Sequence, residues 1–248
     1  MKLVEAGFDV IDINFGCPVK KVLGRCRGGF HLSQPKLALE IVKQTRDNVP
    51  SDIPVTVKMR RGIDDSPESR DNFFEILDGA FDLGVAAITV HGRTVTQRYV
   101  GPSKWEFLKE LKQHAGDKVI LGSGDLFTAQ DCLDMIKETG VDGVTVARGA
   151  IGNPWIFNEI KQYISSGYKP EPPTISQRVD VCKRHFEFGI KWKGDVLGIV
   201  EMRRHYANYF KGIPNFKPIR TQLVTLETSE ELYDVLNSIT NKIELEPA

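Results

Sequence analysis

The stretch RDNFFEILDGAFDLGVAAITVHGRT, residues 70–94, contains an amphipathic helix, a glycine stop, a β-branched strand and a polar cluster, in that order. Apolar residues recur at helical spacing through 70–84, and Gly84 stands where a helix C-cap is expected. VAAITVH (85–91) is too continuously apolar for a strand with one wet face. The same reading applies along the first two-thirds of the chain. Strands are predicted at FDVIDIN (8–14), PVTVKMR (54–60), KVILGS (118–123) and DGVTVAR (142–148). Helices are predicted at PKLALEIVKQTRDNV (35–49), WEFLKELKQHAG (105–116) and TAQDCLDMIKETG (128–140). A strand returns about every 30 residues, the size of a βα unit. The fold class is therefore α/β with a parallel sheet, and the polar clusters fall at the C-terminal ends of strands. That is where a (β/α)8 TIM barrel places its active site.

Five strands are predicted, not eight, and MKLVEAG reads as the last turns of a helix and its stop. Either three N-terminal strands are missing, or a partner supplies them, or the sheet is open and of another kind. Five strands of a closed barrel would leave two edges and an exposed interior. After NPWIFNEIKQYISSG (153–167) the pattern changes. YKPEPPT (168–174) reads as a linker, and the rest is helical, with Ser176 and Ser229 as expected N-caps. The expected organisation is a partial barrel over 1–167 and a small helical domain over 168–248. The helical part interleaves cations, among them Lys183, Arg203, Arg204, Lys211, Lys217 and Arg220, with Tyr206, Tyr209, Phe210 and Phe216.

Thirty-three basic residues balance thirty-three acidic ones, so any nucleic-acid surface must be local. Hydrophobic residues make up 41% and charged residues 27%, which suits a folded chain rather than a disordered one. The four cysteines, at 17, 26, 132 and 182, form neither a CxxC pair nor a secreted framework, so reduced thiols in a cytoplasmic setting are expected. No metal-ligand spacing, signal peptide or membrane-length apolar run is visible, so neither metal nor membrane is expected.

Cys17 follows Gly16 and precedes Pro18 where a strand ends, with Lys20, Lys21, Arg25 and Arg27 close behind. A small buried thiol is the ordinary reading; a thiol on a cation-rich loop also suits a catalytic role beside a polyanionic substrate. Lys58, inside a predicted strand, either snorkels to the mouth of the sheet or faces an electron-rich ring or phosphate. His91 in HGRT sits beside the fork donor Arg93. GSGDLF (122–127) and ARGAIGNPW (147–155) are two adjacent Gly-rich loops suited to a phosphate, the second carrying Arg148. No GxGxxG follows a first strand, which disfavours a dinucleotide-wound sheet.

IDINFGCPVKKV, PVTVKMRRG, TVHGRTVTQRYVGPSKW, GSGDL and DGVTVARGAIGNPWIF, in this order, resemble the tRNA-dihydrouridine synthase family, and EMRRHYANYFKGIP is similar to its C-terminal helical domain. The resemblance implies an FMN-containing barrel and a helical tRNA-binding domain. In it a reduced flavin delivers hydride to C6 of a tRNA uracil, a cysteine protonates C5, and NADPH re-reduces the flavin. Carried over, Cys17 is the proton donor, and Lys58 and His91 contact flavin. Ser123, Gly124 and Asp125 match an Asn–Gly–Asp phosphate motif, and Ala147 and Arg148 a Gly–Arg one. Asn14 is assigned flavin or uracil edges; Lys20, Arg93, Arg203 and Arg204 are assigned to the tRNA. Ser123 and Ala147 depart from the family's residues, as does LGRCRGGFH, and the family's Ala–Pro–Met loop has no counterpart. A free-pyrimidine FMN oxidoreductase and a non-catalytic tRNA-binding fragment stay open as alternatives. Oligomeric state is not legible.

Overall fold

The structure, a computed structural model, describes residues 2–244, with side chains through Ile239. It divides into two compact units, 1–147 and 148–248. The division falls ahead of the proline-rich segment 168–174. In the first unit α1 (Lys2–Glu5), β1 (Ile11–Phe15), α2 (Lys20–Leu23), α3 (Pro35–Asn48), β2 (Val55–Arg60), α4 (Pro67–Asp82), β3 (Ala87–His91), α5 (Trp105–Ala115), β4 (Ile120–Ser123), α6 (Ala129–Thr139) and β5 (Gly143–Val144) follow in order. The five strands form one parallel sheet in the order β1-β2-β3-β4-β5. A parallel neighbour cannot be reached by a tight turn, so a helix crosses between each pair.

Register sorts the side chains onto two unlike faces. Ile11 pairs with Val55, Ile13 with Val57, Phe15 with Met59, Val57 with Ile88 and Met59 with Val90. This face is apolar and mostly buried. The apolar stripes of the helices bury Val42, Phe73, Leu77, Leu108, Leu111 and Met135 with it in the core. The opposite face pairs Asp12 with Thr56, Asn14 with Lys58, Lys58 with Thr89, Arg60 with His91 and His91 with Ser123. A parallel strand buried on both sides is ordinarily apolar throughout. These strands instead alternate, and every polar position sits on one face.

Local signals set the ends. Ser66 caps α4, accepting from the Ser69 N–H at 3.2 Å with Pro67 in the first turn, so the helix starts three residues before the predicted 70. Thr128 and Asp131 form a capping box on α6, and Gly140 at φ +75° ends it. β5 is shorter than the predicted 142–148. The Ser123 hydroxyl donates to the Thr145 carbonyl at 3.1 Å, and the chain turns into a 3-10 turn at Arg148–Ala150.

The second unit is helical: α7 (Ile156–Ser166), α8 (Ile175–Lys193), α9 (Asp195–Tyr209), α10 (Lys217–Thr225) and α11 (Ser229–Glu244). Its core gathers Cys182, Phe186, Met202, Tyr206, Leu223 and Leu236. The expected caps Ser176 and Ser229 are corrected. Thr174 caps α8 in a reciprocal box with Gln177, and Thr228 accepts from the Glu231 N–H at 3.3 Å. Ser176 stands just inside α8 and loses to Thr174, whose backbone is still extended. Among the described residues no helix is long and apolar enough to cross a membrane, and no group of three or more His, Cys, Asp or Glu could hold a metal.

Thr174→Ala should lower the stability of the helical unit by about 1 kcal/mol, while Ser176→Ala should change it by less than about 0.5 kcal/mol. Urea unfolding followed by far-ultraviolet circular dichroism reads both, and equal effects would remove Thr174 as the cap.

Candidate active site

The polar face ends in loops at the C-terminal edge of the sheet. After β1 the Asn14 carboxamide oxygen accepts from the Gly16 N–H at 2.9 Å, closing a tight turn that presents Cys17 half-buried. The Gly29 N–H donates to the Cys17 carbonyl at 3.0 Å. Gly28 packs directly on the thiol residue. At φ +60°, a Cβ there would lie 2.8 Å from the Cys17 Cβ. The glycines of LGRCRGGFH thus shape the seat of Cys17. Lys20, Lys21, Arg25 and Arg27 are exposed, and no ion pair engages them among the described residues. Cys26 is exposed too.

At the end of β2, Arg60 is 2% exposed. Its Nε donates to the Gly16 carbonyl at 3.1 Å, and Nη1 donates to the carbonyls of Thr94 and Arg98, both at 2.8 Å. The guanidinium also lies 5.5 Å from the centre of the Tyr99 ring. Burial pushes its pKa down from the ordinary value, while the Tyr99 and Cys17 side chains act in the opposite sense. Arg60 therefore joins the thiol loop to the HGRT loop and places a cation within electrostatic reach of Cys17. Arg61 does similar work: Nε donates to the Gly92 carbonyl at 3.0 Å and Nη1 pairs with Asp65 at 2.7 Å. Lys58 is half-buried and makes no hydrogen bond or ion pair among the described residues. Burial is the main cause of its lowered pKa, Arg60 adds to the effect, and Asp12 opposes it.

His91 ends β3 and is buried. Desolvation, helped by Arg60, Lys58 and Arg93, pushes its pKa down to about 3. The ring is neutral at pH 7. Arg93 Nη1 lies 3.4 Å from His91 Nε2; an arginine only donates, so Nε2 accepts and the proton sits on Nδ1. Arg93 Nη2 donates to both Asp125 oxygens at 2.7 Å and to the Gly101 carbonyl at 2.7 Å. The Ser103 N–H also donates to Asp125, at 2.8 Å. These bonds hold Asp125 at φ +58°. Gly124, at φ +119°, leaves no room for a side chain: a Cβ would lie 2.6 Å from His91 Cδ2 and closer still to Ser103 Oγ. Its N–H finds no acceptor among the described residues.

Asn14, Cys17, Lys58, His91, Ser123 and Gly124 thus share one rim, with Arg93 and Asp125 locked together beneath it. Ala147 closes the first unit, and Arg148 opens the second. Arg203 and Arg204 lie on α9 in the helical unit. There Arg203 donates to the Leu226 carbonyl at 3.0 Å, and Arg204 sits 3.8 Å from Glu201. Sequence reasoning overlooked Arg60 and Arg61. Their signal was present in KMRRG, two cations on the last buried turns of a strand, where burial demands acceptors.

The family described as Dihydrouridine synthase (Dus) matches residues 1–244. The chain belongs to the dihydrouridine synthase family. It is 38% identical over 232 residues to the probable tRNA-dihydrouridine synthase of Mycobacterium tuberculosis (strain CDC 1551 / Oshkosh), covering 93% of this chain and 59% of that protein. It is 35% identical over 236 residues to the probable tRNA-dihydrouridine synthase 1 of Synechocystis, covering 95% and 64%. Against the probable tRNA-dihydrouridine synthase of Rickettsia conorii the identity is 35% over 214 residues, covering 86% and 63%. The chain thus spans 59–64% of the length of these curated relatives.

Two outcomes are expected of this family member's rim. His91 binds its proton near pH 6.5 when unfolded and only near pH 3 when folded, so stability present above pH 6.5 is lost as pH falls toward 3. His91→Gln should flatten that loss by up to about 1.4 kcal/mol per pH unit, read by urea titrations at several pH values; parallel curves for parent and variant would contradict it. Gly28→Ala should cost about 1–3 kcal/mol and alter the rate at which Cys17 is alkylated. An unchanged rate would show that Gly28 does not shape the thiol's seat.

Proposed function

We propose that this chain is the greater part of an FMN-dependent tRNA-dihydrouridine synthase, reducing uridines in tRNA with NADPH as the source of reducing equivalents. The sequential strand order, with no reversal, supports a segment of a (β/α)8 barrel over a doubly wound sheet. The polar sheet face is then the barrel interior, residues 1–167 belong to the barrel part and 168–248 to the tRNA-binding part.

One observation carries the reading: a half-buried thiol and a half-buried ammonium with no hydrogen-bond partner sit on the same rim, and the imidazole beside them cannot be protonated at neutral pH. The donor set fits a flavin. Lys58 suits the electron-rich edge of the ring, His91 its flank, and the unengaged Gly124 N–H an anionic group. Ser123, Asp125, Ala147 and Arg148 are assigned to the same cofactor by family likeness; Ser123 and Asp125 act by holding the loop in place. Bound there, FMN would supply the hydride for C6 of the uracil. Cys17 holds the proton that C5 requires, because neutral His91 has no acidic proton to give at pH 7. Arg60 places a positive charge within electrostatic reach of Cys17. Asn14 supports the turn that aims the thiol, and Lys20 faces the approach of the polyanion. The target base must leave its stack to reach this rim. Four free thiols and a tRNA substrate support a cytoplasmic setting.

Incubating the FMN-loaded chain with NADPH and unmodified tRNA transcripts should produce dihydrouridine, detected by nucleoside mass spectrometry. Cys17→Ala should keep the flavin absorbance and lose at least about 100-fold in rate, the lower range for a general acid. Full activity in the variant would refute Cys17 as the donor. A chain that takes up no flavin would reduce the reading to tRNA binding alone.

A further inference from the structure

The cations assigned to tRNA by family likeness are not the ones left unengaged in the helical unit. Arg203 turns to a backbone carbonyl, and Arg204 stands beside Glu201 and His205. Between α9 and α10 lies a cleft of about 530 Å³ whose lining includes Lys211, Lys217 and Arg220 and no acidic residue. All three are exposed, and none forms an ion pair among the described residues. Arg178 adds a fourth cation at the rim, its Nη1 donating to the Lys211 carbonyl at 3.2 Å. The floor is made by Phe210 and Phe216, buried with ring centres 4.9 Å apart. Their faces are engaged with each other and the core, so they stiffen the cleft rather than stack on a ligand. The first turn of α10 opens into it, with Pro218 near its start and the positive end of the helix dipole behind the cations.

We infer that this cleft seats the ribose–phosphate backbone of the RNA substrate, through Lys211, Lys217 and Arg220. The inference rests on the proposed function and locates its RNA contact. Exposed cations without a buried polar coordinating group suit a chain of phosphates better than one small anion. Such contacts set the position of an RNA without reading its sequence. The floor holds the α9–α10 corner, so the three charges keep their spacing without a bound partner.

The test measures tRNA binding by the whole chain across a salt series, with Lys211→Gln/Lys217→Gln/Arg220→Gln as the variant. The parent should bind, and its affinity should fall with salt. The triple variant should bind about tenfold or more weakly at low salt, with a log–log salt slope shallower by about two to three, since each phosphate contact contributes roughly 0.7–0.9. Lys161→Gln/Lys169→Gln, which alters two cations outside the cleft, should leave the slope unchanged. Circular dichroism melting confirms that the variant folds; if it does not, the single Lys217→Gln variant should still reduce the slope by about one. A parent that does not bind tRNA would overturn both this inference and the proposed function. A parent that binds, with a folded variant of equal affinity and slope, would overturn the cleft alone. So would competition by inorganic phosphate at matched ionic strength, which would make it a small-anion site.

Discussion

Arg60 is a buried cation held by three carbonyl oxygens, from Gly16, Thr94 and Arg98, and no carboxylate pairs with it among the described residues. Hydrogen bonds to a charged group contribute about 1.5–3 kcal/mol each, and a buried carbonyl without its donor costs about 1–3 kcal/mol. Those acceptors belong to the loops after β1 and β3, which have no backbone ladder between them. The guanidinium therefore stands in for secondary structure. A lysine has three donors on a single nitrogen but lacks the planar fork that reaches acceptors on two separate loops. Arg61 and Arg93 repeat the device, tying Gly92, Gly101, Asp65 and Asp125 into the same rim.

This arrangement sets the electrostatics of the rim. Three arginines and a lysine converge on a face where water is partly excluded, and Asp125 is already engaged. Burial is the main reason that His91 stays neutral and Lys58 sits below its ordinary pKa, and the neighbouring cations add to it. An electron-rich ring or an anion entering there would relieve that crowding. The same residues that order the loops thus prepare them for a negatively charged partner.

Much of this was legible in the sequence. The five strands and their crossover helices follow from periodicity and glycine stops, and the polar residues singled out in the sequence do lie at or just after strand ends. Helix caps were less legible. A serine such as Ser176 satisfies the composition rule, but the cap belongs to the residue with extended backbone and a partner three positions on, here Thr174 with Gln177. The buried arginines were hidden for a different reason. Arg60 finds its acceptors 34 to 44 residues away, and Arg93 finds Asp125 32 residues away. No local pattern encodes those meetings. Nor does a roll of cations tell which are engaged: Arg203 and Lys211 look alike as letters, yet one is tied to a carbonyl and the other lines an open cleft.

The central claim is that Arg60 couples the thiol loop to the HGRT loop. Hydrogen exchange measured by mass spectrometry on Arg60→Lys tests it most directly. The account predicts that peptides covering 14–30 and 92–101 lose protection together, while those of the helical unit are unchanged. Unchanged protection, or a loss confined to one of the two loops, would contradict it.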